Sequence, residues 1–374
     1  MKKVKLGFFS QKNYMNRNTF SGTLYYMHQA LMSKKEFELV NLGDPYPPSQ
    51  WNNIKEKIKK TWGSFQDTEK QKKENNENFA KLIKKQLEQN NFDVIFAPVA
   101  SKELPFLETD LPIIYLSDTT PRLILQTYGK KILLDEEEKQ QIVRASKIVY
   151  SSKWAANSAI NDYEADPNKI EIVPFGANIE QVPEIDKILT KCQSSACRLL
   201  FIGKDWQRKG GKIAWETLLS LLKLNLEVEL VILGCIPPPE FQHEKFKIIP
   251  FLDKNIPQEQ EQFIELLLSS HFLIFPTRAD CSPIVICEAN AYGIPVMTTD
   301  VGGIPDIIEN GKNGFMLSLN DSGDQYANLI ATYFSDKNIY EQLVRSSREE
   351  YEKRLNWDQW ANSVYRIASE LVSN

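Results

Sequence analysis

No apolar run in this 374-residue sequence approaches the roughly 20 residues that cross a bilayer. The amino terminus, Met1-Lys2-Lys3 followed by Val4–Phe9, is too brief to read as a secretory leader. Gln11, Lys12 and Asn13 end the run at once, and a buried first strand is the better reading. Cysteine is scarce: Cys192, Cys197, Cys235, Cys281 and Cys287 are odd in number and lack zinc-ligand spacing, which fits reduced thiols in a cytoplasmic protein. The three histidines, His28, His243 and His271, are scattered, so no metal site is expected. A net charge of −4 lacks the positive balance of a nucleic-acid binder, and no nucleic-acid partner is expected.

What is present is ordinary for a globular protein, 42% hydrophobic and 25% charged residues in a length that suits two or three domains. Short apolar runs alternate with helical patterns, the signature of parallel α/β sheets. The first half carries Val4–Phe9, Leu39–Leu42, Val94–Pro98, Ile113–Leu116, Lys147–Ser151 and Ile170–Pro174. These are runs rather than alternations, as expected when helices cover both faces of a sheet. Gly22–Ser33 reads as a helix with Leu24, Met27, Leu31 and Met32 on its apolar stripe, and His28 there reads as a satisfied packing residue. Residues 52–91, dominated by Lys, Glu, Asn and Gln, read as one or two solvated helices.

After residue 178 the alternation restarts with Arg198–Ile202, Val228–Leu233, Phe246–Phe251, Phe272–Pro276 and Val296–Thr299. The expected fold class is therefore α/β, two doubly wound Rossmann-like domains facing each other across a cleft. Residues 1–180 form the first domain, polar 181–196 a linker, and 197–356 the second domain. A closing helix over about 357–374, with Trp360, Val364, Ile367 and Leu371 on one stripe, is expected to pack back on the first domain.

The informative stretch runs from Phe275 through Asp280, Ser282, Pro283 and Glu288 to Gly293 and Pro295. Ser282 then Pro283 predicts a helix start, Ser as N-cap and Pro at the first helical position, and Gly293 with Pro295 predicts its stop. That helix begins just past the carboxyl end of a strand, where open α/β sheets bind ligands and where free N–H groups suit a phosphate. Glu288 lies roughly 9 Å along the axis from the cap and leans back toward it. It can meet a ribose diol beside the phosphates, while Asp280 on the loop can take sugar hydroxyls on the other side. On spacing alone a loop acid and a solvent-facing helix residue explain the pair equally well.

A second loop, Gly203-Lys-Asp-Trp-Gln-Arg-Lys-Gly-Gly211, puts Lys204, Arg208 and Lys209 at the same edge, and it lacks the Walker A spacing. A third, Asp300-Val-Gly-Gly-Ile-Pro-Asp306, follows Val296–Thr299. Both also read as plain turns.

Taken together, Phe275 through Gly314 resembles the donor-binding core of retaining glycosyltransferase family 4, which has the GT-B fold. The Glu-x7-Glu signature of that family appears here as Asp280-x7-Glu288, with the first Glu shortened to Asp. Gly203…Arg208-Lys209-Gly210, Val301-Gly-Gly-Ile-Pro-Asp306 and Asn310-Gly-Lys-Asn-Gly314 are similar to its other loops. Ser21-Gly22-Thr23, Ser151-Ser-Lys-Trp154 and Val173-Pro-Phe-Gly-Ala-Asn178 extend the likeness into the first half.

The resemblance implies that Glu288 binds the ribose and Asp280 the donor sugar. It implies that Lys204 and Lys209 grip the diphosphate of a nucleotide-sugar donor, UDP- favoured over GDP-sugar, with backbone at Ser282, Ile284 and Val285 and the Gly22 loop assisting. Two departures stand out: Ser117-Asp118 where many members have His-Asp, and Pro283 where Gly is common. Asp118, Lys209 and Asp280 are the candidate catalytic residues, for metal-independent transfer with retention and no cofactor. Alternatives that share these motifs are a sugar-nucleotide epimerase and a non-catalytic nucleotide-sugar-binding subunit. The acceptor, whether carbohydrate, lipid-linked, small-molecule or protein, is not legible. Peripheral membrane contact through Lys55–Lys60 or Lys70–Lys73 competes with a solvated face.

Overall fold

The structure, a computed structural model, describes residues 3–10, 12–43, 69–129 and 135–373; the basic stretch Lys55–Lys60 lies outside them. Among the described residues, no helix is long and apolar enough to cross a membrane. The chain divides into two compact units, one of residues 1–150, 156–171 and 361–374, the other of 151–155 and 172–360.

The first unit is built on a six-stranded sheet ordered β2-β1-β3-β4-β5-β6. Its strands are β1 (Val4–Phe9), β2 (Phe37–Leu42), β3 (Val94–Pro98), β4 (Ile113–Ser117), β5 (Lys147–Tyr150) and β6 (Ile170–Ile172). β3 and β4 are buried at every position, which is why they read as continuous apolar runs. The helix Thr23–Ser33 buries Leu24, Met27 and Leu31 as its periodicity predicts, whereas Met32 is exposed. His28 is a packing residue but only half satisfied: its Nε2 lies 2.7 Å from Asn41 Oδ1 and its ring stacks on Tyr14, while its buried Nδ1 has no hydrogen-bond partner among the described residues. The charged stretch contains the helix Glu69–Glu88, which carries Lys70–Lys73 in its first turns.

The second unit repeats the plan, with the order β12-β11-β10-β7-β8-β9. Here the strands are β7 (Cys197–Ile202), β8 (Val228–Leu233), β9 (Phe246–Ile249), β10 (Phe272–Phe275), β11 (Val296–Thr299) and β12 (Gly314–Leu317). Successive residues of one strand enter opposite cores. Leu199 and Phe201 pack with Ala214, Leu218 and Ile330, while Leu200 and Phe275 pack with Phe263, Leu267 and Ile286. Fully burying each such side chain contributes roughly 1.5–3 kcal/mol, and neither face of the sheet is left to water. In this sheet the strand order reverses between β10 and β7, so the loops that follow those two strands flank a switch point.

Three boundaries differ from the sequence reading. Residues 172–180 belong to the second unit, where Ala177 donates its N–H to Leu355 and Gly176 lies against the backbone of Trp357. Residues 181–196 are not a plain linker: Ile185–Leu189 is helical, and Ile188 and Cys192 enter the second core. Ile185, Ile188, Leu189 and Cys192 have the i, i+3, i+4, i+7 spacing of a helix, a signal that was present in the sequence and masked by the polar residues around it. Edge strand β12 is a further element absent from the predicted runs, because its four residues follow immediately on the Asn310–Asn313 turn. The final helix, Trp357–Ser373, contributes its residues from Ala361 onward to the first unit. There Tyr365 meets Phe37 edge to face and Arg366 pairs with Glu171 at 2.8 Å.

The first unit also buries an acid. Glu138, 2% exposed, receives the Tyr115 hydroxyl on both carboxylate oxygens at 3.1 and 3.0 Å. Burial pushes its pKa up to about 7, against hydrogen bonds from Tyr115 and Ser101 that favour the anion. A raised carboxyl pKa favours folding below the unfolded value near 4.5 and loses that advantage as pH climbs through about 7. Glu138→Gln keeps the oxygen that Tyr115 needs and cannot ionise. Relative to wild type it is expected to melt several degrees higher at pH 8, at roughly 2–4 °C per kcal/mol, with little difference at pH 4.5. Thermal melts followed by circular dichroism at both pH values check this; an equal shift at both would mean that Glu138 does not titrate.

Candidate active site

The loop after β7 is fixed by its own tryptophan. Trp206, 7% exposed, packs on Phe201, Phe241 and Phe246, and its carbonyl accepts the Gly211 N–H at 2.8 Å. Gly210 (φ +77°) then lets the chain pass so close to β10 that a Cβ would sit 1.9 Å from the Pro276 carbonyl oxygen. Any side chain there would part the two loops. They are further joined by the Arg278 N–H donating to Arg208 O at 2.7 Å and by Arg208 Nη1 donating to Ala279 O at 2.9 Å. Arg208 is thus a strut between loops.

That stitching delivers Lys209 to Asp280. Their side chains form an ion pair, 13% and 14% exposed, with the ammonium also 4.6 Å from the Phe275 ring centroid. Burial draws the Lys209 pKa below the ordinary lysine range, and the Asp280 carboxylate opposes the shift. The loop after β11 closes against the same segment. Gly302 (φ +57°) would place a Cβ 1.9 Å from the Asp280 carbonyl oxygen, and the Gly303 N–H donates to that oxygen at 3.3 Å. The paired glycines therefore serve a close backbone approach as well as a turn.

The helix Ile284–Ala291 starts one residue later than predicted. Pro283 is its N-cap, and Ser282 makes no capping bond; its hydroxyl donates to Ser151 Oγ at 2.6 Å. Proline at the cap leaves the first-turn N–H groups of Ile284 and Val285 at the carboxyl edge of the sheet, since these have no intrahelical partner. Glu288 is not solvent-facing: it is 2% exposed and its Oε1 lies 2.5 Å from Lys254 Nζ. Lys254, on the loop after β9, was not among the sequence candidates, because nothing local ties it to a carboxylate 34 positions away.

The remaining candidates lie apart. Lys204 is exposed, with its ammonium 5.9 Å from the centre of the Phe251 ring. Gly22 (φ +85°) caps the helix Thr23–Ser33 in the first unit, after Phe20 and Ser21, which also have positive φ. Asp118 ends β4 in that unit, half-buried and close enough to Lys12 for their charges to interact. The turn beside it is closed by Ser117 Oγ donating to Thr119 O at 2.8 Å, and the next helix is capped by Thr120, which accepts from the Leu123 N–H.

A cavity of about 390 Å³ opens at the opposite, amino-terminal edge of the second sheet, lined by residues including Lys191, Arg198, Glu229 and His271. It is far from the donor motifs and its polar groups are occupied internally. His271 accepts the Arg198 N–H on Nδ1 at 2.9 Å and faces Lys191 O through Nε2 at 3.0 Å, while Glu229 takes both Arg198 and Lys247. Burial lowers the His271 pKa to about 4, so the ring stays neutral. Size alone does not make this the reactive site. Among the described residues, no three His, Cys, Asp or Glu side chains converge as a metal-ligand set.

Residues 196–336 match the family described as Glycosyl transferases group 1. The chain is similar to the D-inositol 3-phosphate glycosyltransferases of Corynebacterium kroppenstedtii, 24% identical over 50% of this chain and 45% of the relative, and Corynebacterium efficiens, 23% identical over 62% and 57%. It spans about half the length of these curated relatives. Among solved structures, the sucrose-phosphate synthase of Thermosynechococcus elongatus superposes with a TM-score of 0.70 at 13% identity over 100% of both chains. The Anabaena protein HepE in complex with UDP and glucose gives 0.63 at 14%, covering 98% of this chain and 99% of that one. At such identities the likeness concerns the fold. Residues 196–336 are a glycosyl transferases group 1 domain, and the chain that carries them has the GT-B fold of two doubly wound parallel sheets.

Proposed function

We propose that this chain is a glycosyltransferase that takes a sugar from a nucleotide-sugar donor held at the carboxyl edge of its second sheet. One observation carries the reading: two lysine–carboxylate pairs, Lys209–Asp280 and Lys254–Glu288, flank the start of the helix Ile284–Ala291. Positive charge and free N–H groups suit a diphosphate, and the carboxylates suit hydroxyls on either side of it. The group 1 domain and the names of the relatives support the same class, and the UDP complexes of HepE support a UDP-sugar.

In this reading Glu288 accepts from the ribose hydroxyls, and Asp280 from the donor sugar. Lys209 exchanges Asp280 for the diphosphate, and Lys204 swings in from solvent beside the N–H groups of Ser282, Ile284 and Val285. The Gly22 loop assists in holding the donor, and Asp118 orients the donor sugar or the acceptor hydroxyl. The bond from the anomeric carbon to phosphate oxygen breaks as the acceptor oxygen attacks the same face, and the acceptor proton passes to the leaving phosphate. The configuration is retained. Lysine charge and helix amides neutralise the leaving group, so the chemistry needs no divalent cation.

Three measurements test this. Glu288→Gln is expected to weaken binding of UDP-sugar by about 1.5–3 kcal/mol in calorimetry, the size of a charge-assisted hydrogen bond; unchanged affinity removes Glu288 from the site. Lys209→Ala is expected to depress kcat more than it raises the donor KM, because phosphate charge grows as the sugar leaves. A change in KM alone would assign Lys209 to ground-state binding. Turnover is expected to survive EDTA; full loss, restored by Mg²⁺ or Mn²⁺, would refute metal-independent transfer.

A further inference from the structure

Lys254 is absent from every motif that marks the donor site, yet among the described residues it makes the one side-chain hydrogen bond to Glu288. The loop that presents it is tied by its own hydrogen bonds. Asp253 Oδ1 accepts from both the backbone N–H and the side-chain amide of Asn255, at 2.9 and 2.7 Å, and the Asp253 N–H donates to Glu259 Oε2 at 2.5 Å. The ammonium sits 4.1 Å from the ring centroid of Phe263, itself 3% exposed. Its reach is therefore set by packing as well as by charge.

The pair is asymmetric. The Lys254 side chain is 30% exposed and that of Glu288 only 3%, so the carboxylate is sunk and the ammonium closes it at the rim. Lys254 engages Oε1, and Oε2 accepts no hydrogen bond from the described residues. Two ribose hydroxyls need an acceptor that is held still, and a buried carboxylate that loses its cation loses the bond that holds it.

We propose that Lys254 is a positioning residue for nucleotide recognition: it fixes Glu288 through Oε1 and leaves Oε2 to accept from the ribose hydroxyls of the donor. This rests on the glycosyltransferase reading above and adds to it a residue that acts on ribose only through Glu288. Lys254 then makes no contact of its own with the phosphates, and its effect depends on the hydroxyls being present.

Calorimetry on the full chain tests this with UDP and 2′,3′-dideoxy-UDP as paired probes. Lys254→Met is expected to lose about tenfold in affinity for UDP, the scale of one charge-assisted hydrogen bond. The same variant is expected to lose less than about twofold for the dideoxy compound, and Lys254→Arg to recover most of the UDP affinity. Because Lys254→Met leaves a buried charge unpaired and can unfold the chain, the double variant Lys254→Met/Glu288→Gln is measured beside Glu288→Gln alone. Equal UDP affinities are expected for those two. Equal losses for UDP and dideoxy-UDP, no loss at all, or a double variant clearly weaker than Glu288→Gln would each overturn the proposal. Wild type that binds none of UDP, GDP or ADP would instead overturn the glycosyltransferase reading, and this inference with it.

Discussion

Burying a carboxylate costs several kcal/mol unless a cation and hydrogen bonds compensate it, and the second unit buries one, Glu288, and largely buries another, Asp280, within one strand–loop–helix segment. Asp280 and Glu288 each receive a lysine from a different loop, Lys209 after β7 and Lys254 after β9. The backbone is arranged to make those meetings unavoidable. Trp206 pins one loop, Arg208 ties it to Ala279, and Gly210 and Gly302 permit approaches that a Cβ would block. Each carboxylate is thus balanced by one lysine.

The same edge of the sheet gathers these parts for a topological reason. Where strand order reverses between β10 and β7, the following loops diverge to opposite faces and leave a crevice between them. The alternation of Leu199, Leu200 and Phe201 between two cores holds the sheet rigid beneath it. The first unit has an equivalent reversal between β1 and β3, and strained backbone collects on the loops beyond those strands. Phe20, Ser21 and Val99 all have φ near +50°, a conformation that costs about 1–3 kcal/mol for a residue with a side chain. Such strain persists where the surroundings over-determine it, most often at a functional edge. Asp118, just past β4, is half-buried and near enough to Lys12, on the loop after β1, for their charges to interact.

Much of this was legible in the amino-acid order, because parallel strands buried on both faces are written as apolar runs. β1, β3, β8 and β11 have the bounds their runs predict, and the Asp280-x7-Glu288 spacing with the glycine loops falls where loops and a helix start at the carboxyl edge of the second sheet. Ser282 shows how local rules can be outbid: a serine before proline should cap a helix, yet its hydroxyl finds Ser151 and Pro283 takes the cap. Residues 181–196 show the opposite case, since the helical spacing of Ile185, Ile188, Leu189 and Cys192 was there to be read before the second core closed over it.

Local chemistry by itself determined the two α/β repeats, the strand-to-helix loops and the residue types that suit a diphosphate between two sets of hydroxyls, because periodicity, glycine and proline act over a few residues. Which charge meets which was decided only by the tertiary structure. Lys254 reaches Glu288, Lys209 reaches Asp280, and Tyr115 reaches Glu138 across separations that carry no sequence signal. Each of those acids is buried by elements distant in the chain, and only their packing determines whether a carboxylate is solvated, paired or protonated.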